Sequence, residues 1–164
     1  MVPISADRIE DLPALRGLFD FPVAARGCAI PLTGARHHPA EAALVAGAAE
    51  RRRAEFLAGR ACARSCLDAL GYDDAPVLRG ERGMPNWPEG AIGSVSHSGT
   101  IAMAVAAPSV RARSIGIDVE QQRAVRDELQ NLLFRPEERA RLALMPQDER
   151  RAAATLMFSA KEAF

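Results

Sequence analysis

From Glu41 to Leu70 the chain is mostly Ala, Leu, Arg and Glu, and Phe56, Gly59, Ala63, Cys66/Leu67 and Leu70 recur at spacings of three and four. That period predicts a helix with a core-facing stripe, stopped at Gly71. A two-residue period takes over farther on. Ala91 to His97 and Ile101 to Ala107 read as strands joined through Ser98-Gly99-Thr100, a β-hairpin closed by Pro108. Ser114-Ile115-Gly116-Ile117-Asp118-Val119-Glu120 reads as a buried strand, with Ile115, Ile117 and Val119 on one face and Gly116, Asp118 and Glu120 on the other. Helical composition returns over Val125 to Phe134, Pro136 to Leu144 and Asp148 to the end, with Pro136 and Pro146 near helix starts. Residues 1–40 carry Pro3, Pro13, Pro22, Pro31 and Pro39, which excludes a long helix and predicts short strands and turns. Residues 71–91, with Pro76, Gly80, Gly83, Pro85, Pro88 and Gly90, read as a turn-rich loop bearing Arg79, Arg82 and Trp87.

Length and composition then bound the picture. With 164 residues and 48% hydrophobic content the chain can fill one domain or two small lobes. Twenty-one basic residues balance 21 acidic ones, so no global field favours nucleic acid or an anionic membrane, and anion binding must be local. All the basic residues are arginine except Lys161. Three cysteines, Cys28, Cys62 and Cys66, make no disulfide framework and fit a reducing compartment; Cys62 and Cys66, one turn apart on the helix, read as packing residues. The longest apolar run, Ile101 to Ala107, is too short to span a bilayer, and the expectation is a soluble cytoplasmic protein.

Two adjacent carboxylates on the polar face of one strand repel each other unless a cation sits nearby, and oxygen ligands suit Mg²⁺ or Ca²⁺. Asp118 and Glu120 are therefore candidate metal ligands, against the alternative of a solvated strand end. At 100° per residue Arg53 and Arg60 differ by about 20° around the helix, and Arg52 and Arg60 by about 80°. Guanidiniums from either pair can converge on one anion, against the alternative of a solvated basic face. His97 stands where the hairpin's first strand meets its turn, after Ser94 and Ser96, and His37-His38 read as solvent-facing loop residues. Ser159-Ala160-Lys161-Glu162 has the form of a capping box, but Arg150 to Met157 is already helix-forming, which puts Ser159 inside a running helix where it cannot cap.

Five segments in order resemble the phosphopantetheinyl transferases of the enterobactin-synthetase type, which serve siderophore and polyketide synthetases. They are Arg51-Arg52-Arg53-Ala54-Glu55-Phe56-Leu57-Ala58-Gly59-Arg60-Ala61-Cys62-Ala63; Arg79-Gly80-Glu81-Arg82-Gly83-Met84-Pro85 with Trp87-Pro88; Gly93-Ser94-Val95-Ser96-His97; Gly116-Ile117-Asp118-Val119-Glu120; and Phe158-Ser159-Ala160-Lys161-Glu162-Ala163. The resemblance implies an α/β (α+β) fold of two pseudo-twofold related lobes with coenzyme A between them. Residues 1–108 would form the first lobe and 109–164 the first part of the second, which this chain leaves incomplete.

By the same resemblance the protein is an enzyme that moves the 4′-phosphopantetheine arm of coenzyme A onto a serine of an apo acyl or peptidyl carrier protein, releasing adenosine 3′,5′-bisphosphate. It would work as a monomer, with Mg²⁺, apart from nucleic acid and membrane. Asp118, Glu120 and Glu162 would hold Mg²⁺ against the pyrophosphate. Three carboxylates on one divalent ion leave about one negative charge, so Lys161 and the arginines must reverse it. Arg52, Arg60 and Arg79 would grip the nucleotide phosphates, with Arg53 and Arg82 as alternatives, and His97 would hydrogen-bond phosphate. Glu162 would be the base for the incoming serine and Lys161 would neutralise the leaving phosphate. A coenzyme A-binding remnant without activity and a metal-dependent phosphohydrolase remain as rival classes.

Overall fold

The structure, a computed structural model, describes residues 4–121 and 127–163; the side chains of Arg82, Asp127 and Glu128 lie outside the description. In chain order the elements are β1 (Glu10–Asp11), α1 (Pro13–Arg16), β2 (Ala24–Ala29), α2 (Pro39–Ala43), α3 (Glu50–Ala69), β3 (Leu78–Arg79), β4 (Pro85–Asn86), β5 (Ala91–Ser98), β6 (Ile101–Pro108), α4 (Asp127–Leu133), α5 (Pro136–Ala143) and α6 (Gln147–Glu162). An antiparallel sheet ordered β1-β2-β6-β5 and a small β3-β4 ribbon give an α+β architecture.

The 41–70 helix is broken. Leu44 to Ala49 leave helical geometry between α2 and α3, and this turn lets Val45 fold back and bury itself with Phe56 and Leu57. Gly47 in the middle weakens the helix locally, by about 1 kcal/mol relative to alanine. His38 starts α2 by accepting the Ala40 N–H on Nδ1 at 3.2 Å, a structural use of that histidine. Helix α3 stops at Gly71, whose φ of 87° is open to glycine at no steric cost.

Alternation on the strands gives the sheet two different faces. Ala24, Cys28, Ala102, Ala104 and Ala106 pack under Ala58, Cys62, Cys66 and Leu67 of α3. The small side chains let the helix lie close: a Cβ on Gly59 would come within 2.8 Å of Val95. The three cysteines are free and buried in this layer, Cys62 Sγ lying 3.4 Å from Cys28 Sγ. The other face carries Ala25 and Val105, joined by Leu12 and Ile117. There a groove of about 910 Å³ opens, lined by Leu12, Leu15, Leu18 and Met103 among others.

Residues 114–120 form no strand and belong to no sheet, which corrects the strand expected there. The reason lies in the partners: Ile117 and Val119 donate their N–H groups to the hydroxyls of Ser94 and Ser96, not to a backbone ladder. The apolar side of the segment does dock as its alternation requires, Ile117 reaching 9% exposure. Beyond it, α4 to α6 close on Phe134, Leu142 and Ala154. The first two residues of the helix expected from Val125 lie outside the described residues. Helix α6 runs unbroken through Ser159, as expected, so Glu162 closes no capping box there. No described helix is long and apolar enough to cross a membrane.

Candidate functional site

Arg52, Arg60, Arg79 and His97, separated by up to 45 positions, line one cavity of about 150 Å³ with Glu55, Phe56, Gly59 and Val95. Helix α3 supplies Arg52 and Arg60, the β3-β4 ribbon supplies Arg79, and β5 supplies His97 from the face that meets α3. Phe56 is the floor. The Arg60 guanidinium stacks over its ring at 4.6 Å and that of Arg79 at 5.9 Å. Arg52 Nη1 lies 3.2 Å from His97 Nε2, which makes that ring nitrogen an acceptor and fixes the imidazole's outlook.

Arg60 is 5% exposed, yet among the described residues its one hydrogen bond is a long contact of 3.5 Å from Nη2 to the Leu78 carbonyl, and its buried Nε has no partner. Burial pulls its pKa below the ordinary arginine value; Glu41 opposes this, while the neighbouring Arg79 and Arg52 charges add to it. A cation held against desolvation and like charge is stabilised by an anion. Glu55 supplies one carboxylate, kept below the usual glutamate range first by its hydrogen bond from Arg51. Three guanidiniums line the cavity against this one carboxylate, which is itself shared with Arg51, so at least two positive charges are left facing the cavity. That balance matches one phosphate dianion.

Arg53 does not join them. It lines a separate cavity of about 190 Å³ with His37 and Glu50, although it shares Arg60's helical azimuth to within about 20°. Arg82, the other alternative, has its side chain outside the description.

The opposite face of β5 meets the carboxylates. Ser96 Oγ donates to Asp118 Oδ1 at 2.7 Å and Ser98 Oγ to Glu120 Oε2 at 3.0 Å. Asp118 Oδ2 is buried with no partner. Gly116 brings the end of α6 to this segment: a Cβ there would fall 1.6 Å from the Ala163 carbonyl oxygen. Glu162, the last residue of α6, is exposed beside that contact. The donors are hard oxygens and one is orphaned, which fits a hard divalent cation. No three His, Cys, Asp or Glu side chains among the described residues converge closely enough to hold a metal by themselves. A cation here completes its shell with oxygens from water or substrate.

Lys161 faces elsewhere in this structure. Its Nζ donates to the Leu133 carbonyl at 2.8 Å and to Glu138 Oε2 at 2.6 Å, and lies 5.4 Å from the Phe134 ring centroid. Sequence reasoning missed Phe56 as the floor of the cavity, because its helical period marks it equally as core. It also left Ser94, Ser96 and Ser98 without a role; three serines at every second position of a strand were the available signal.

Comparison with known proteins bears on this arrangement. Residues 40–107 match the family model described as 4'-phosphopantetheinyl transferase N-terminal domain. Residues 114–164 match that of the 4'-phosphopantetheinyl transferase superfamily. The chain is 39% identical over 126 residues to 4'-phosphopantetheinyl transferase Npt of Nocardia iowensis, covering 77% of this chain and 56% of the relative. It is 40% identical over 102 residues to 4'-phosphopantetheinyl transferase PptT of Mycobacterium tuberculosis, covering 62% and 45%. With enterobactin synthase component D of Escherichia coli it shares 42% identity over 120 residues, 70% of this chain and 54% of the relative. The chain thus spans about half the length of the curated relatives it matches. One family model holds the arginine cavity together with β5, the other the carboxylate segment that packs on β5, and the chain belongs to the 4'-phosphopantetheinyl transferase superfamily.

Proposed function

We propose that the protein transfers the 4′-phosphopantetheine arm of coenzyme A to a serine hydroxyl of an apo acyl or peptidyl carrier protein, releasing adenosine 3′,5′-bisphosphate. The observation that carries this reading is the convergence of Arg52, Arg60, Arg79 and His97 on a cavity too small for a nucleotide but matched in charge to a phosphate. Arg60 and Arg79 hold the 3′-phosphate over Phe56, and the Arg52–His97 pair takes a second phosphate edge. Ser96 and His97 are consecutive in β5, so their side chains leave opposite faces. A ligand running past this outer strand meets the arginines on one side and Asp118 on the other.

Asp118, Glu120 and Glu162 are the residues that would hold Mg²⁺, which supplies charge neutralisation for the pyrophosphate. Glu162, exposed at the end of α6, takes the proton of the serine as its oxygen bonds to the pantetheine-side phosphorus. The bond from that phosphorus to the bridging oxygen breaks, and the nucleotide leaves with the electron pair. For Lys161 to neutralise the leaving phosphate it must exchange Glu138 for it. Three buried unpaired thiols support the cytoplasm as the site of action, and one copy of the chain supplies every residue named, in keeping with a monomer.

Incubation with coenzyme A, Mg²⁺ and an apo carrier protein tests the proposal by mass spectrometry. A phosphopantetheine mass gain on the carrier is expected. Released nucleotide without that gain would make the protein a hydrolase, and neither product would leave it a binding protein.

A further inference from the structure

We infer that Ser96 is a positioning residue for the metal-binding carboxylate, an inference that rests on the reading of Asp118 as a cation ligand. A hydroxyl has one donor and two acceptor sites, and Ser96 uses both kinds at once. Its Oγ accepts the Val119 N–H at 3.2 Å and donates to Asp118 Oδ1 at 2.7 Å. The same side chain therefore fixes the backbone after Asp118 and the rotation of the Asp118 carboxylate. With Oδ1 accepting from Ser96, Oδ2 is left buried and unpartnered, as the oxygen of this group with both lone pairs open to a ligand.

Its neighbours divide these jobs. Ser94 accepts the Ile117 N–H at 3.2 Å, while Ser98 donates to Glu120 Oε2 at 3.0 Å. All three lie on the β5 face opposite Val95 and His97, so that face presents a row of hydroxyls to residues 117–120. A backbone ladder would satisfy the Val119 N–H but could not reach a carboxylate. The hydroxyl row satisfies both. Hydrogen-bonded partners of metal ligands set ligand orientation, and their loss typically costs about 10- to 100-fold in metal affinity.

The test uses Mn²⁺ binding to the full chain without coenzyme A, followed by electron paramagnetic resonance, alongside Mg²⁺-dependent transfer. Ser96→Ala should weaken Mn²⁺ by about tenfold or more and raise the KM for Mg²⁺, with kcat at saturating Mg²⁺ falling far less. Ser96→Thr, which keeps the hydroxyl, should restore most of the affinity. Ser94→Ala loosens the same segment without touching a carboxylate, so it should leave Mn²⁺ affinity within about twofold. Equal losses in Ser94→Ala and Ser96→Ala, or failure of threonine to rescue, would reduce Ser96 to packing and overturn the inference. Absence of Mn²⁺ binding by the unaltered protein would overturn it too. Mn²⁺ binding without carrier modification would sink the transferase reading alone, and the variants would still decide the role of Ser96.

Discussion

Replacing Arg60 by methionine should separate what the arginine does for the fold from what it does for the ligand. In the protein alone the change removes a desolvated cation–π contact at 4.6 Å, worth about 2 kcal/mol, and a long contact to the Leu78 carbonyl. It also removes a buried Nε–H without a partner, which costs about 1–3 kcal/mol while it is there. None of the ion pairs among the described residues includes Arg60, so no carboxylate is stranded. The two terms nearly cancel, and Arg60→Met should melt within about 2–4 °C of the parent, the equivalent of about 1 kcal/mol at this chain length. Binding should respond differently. Coenzyme A at 100 times its Kd stabilises a protein by about 2.7 kcal/mol. Loss of a charge-assisted bond of about 1.5–3 kcal/mol raises Kd about 10- to 100-fold; at fiftyfold the stabilisation falls to about 0.6 kcal/mol. The ligand-induced rise in Tm should shrink from about 5–10 °C to about 1–2 °C. Thermal melts with coenzyme A and with 3′-dephospho-coenzyme A make the comparison. For the dephospho compound the rise should be the same in parent and variant. An equal loss with both ligands, or a drop of many degrees in the unliganded variant, would refute the assignment of Arg60 to the 3′-phosphate.

The fully buried Glu41 pairs with Arg64 and accepts the Val77 N–H at 2.9 Å, so Glu41→Gln strands a guanidinium and should cost about 3 kcal/mol in urea unfolding; a change under about 1 kcal/mol would show the pair to be dispensable. Gly116→Ala must push the end of α6 off the carboxylate segment, since the new Cβ would meet the Ala163 carbonyl, and carrier modification should fall at least tenfold with little change in Tm. Unchanged turnover would mean that this contact does not place Glu162. The Lys161 hydrogen bond holds the partly buried Glu138 carboxyl below the usual glutamate range, so its contribution is present above the ordinary value of about 4.3 and is lost as the pH falls through the lowered one. In Lys161→Met, a Glu138 titration followed by NMR should move up toward the ordinary value, and an unmoved titration would show that Lys161 does not set it.

Local rules were enough wherever a short-range pattern had one physical meaning. Gly99, with φ of 61°, and the alternation on either side gave the β5–β6 hairpin; the helical period gave α3, and Gly71 its end. The candidate carboxylates were legible for a related reason: two at alternate positions are a costly arrangement whatever the fold, whereas the one lysine among 20 arginines drew notice but turns to Glu138. Tertiary structure decided the remainder, because the deciding partners are distant in sequence. Val45 folding onto Phe56 breaks the long helix, and hydroxyls rather than backbone meet residues 117–119, so the expected strand forms no ladder. Azimuth on a helix fixes where a side chain starts, not where a long guanidinium ends. Arg53 and Arg60 start about 20° apart and serve different cavities, whereas Arg52, about 80° away, shares Arg60's cavity because β5 places His97 within 3.2 Å of it.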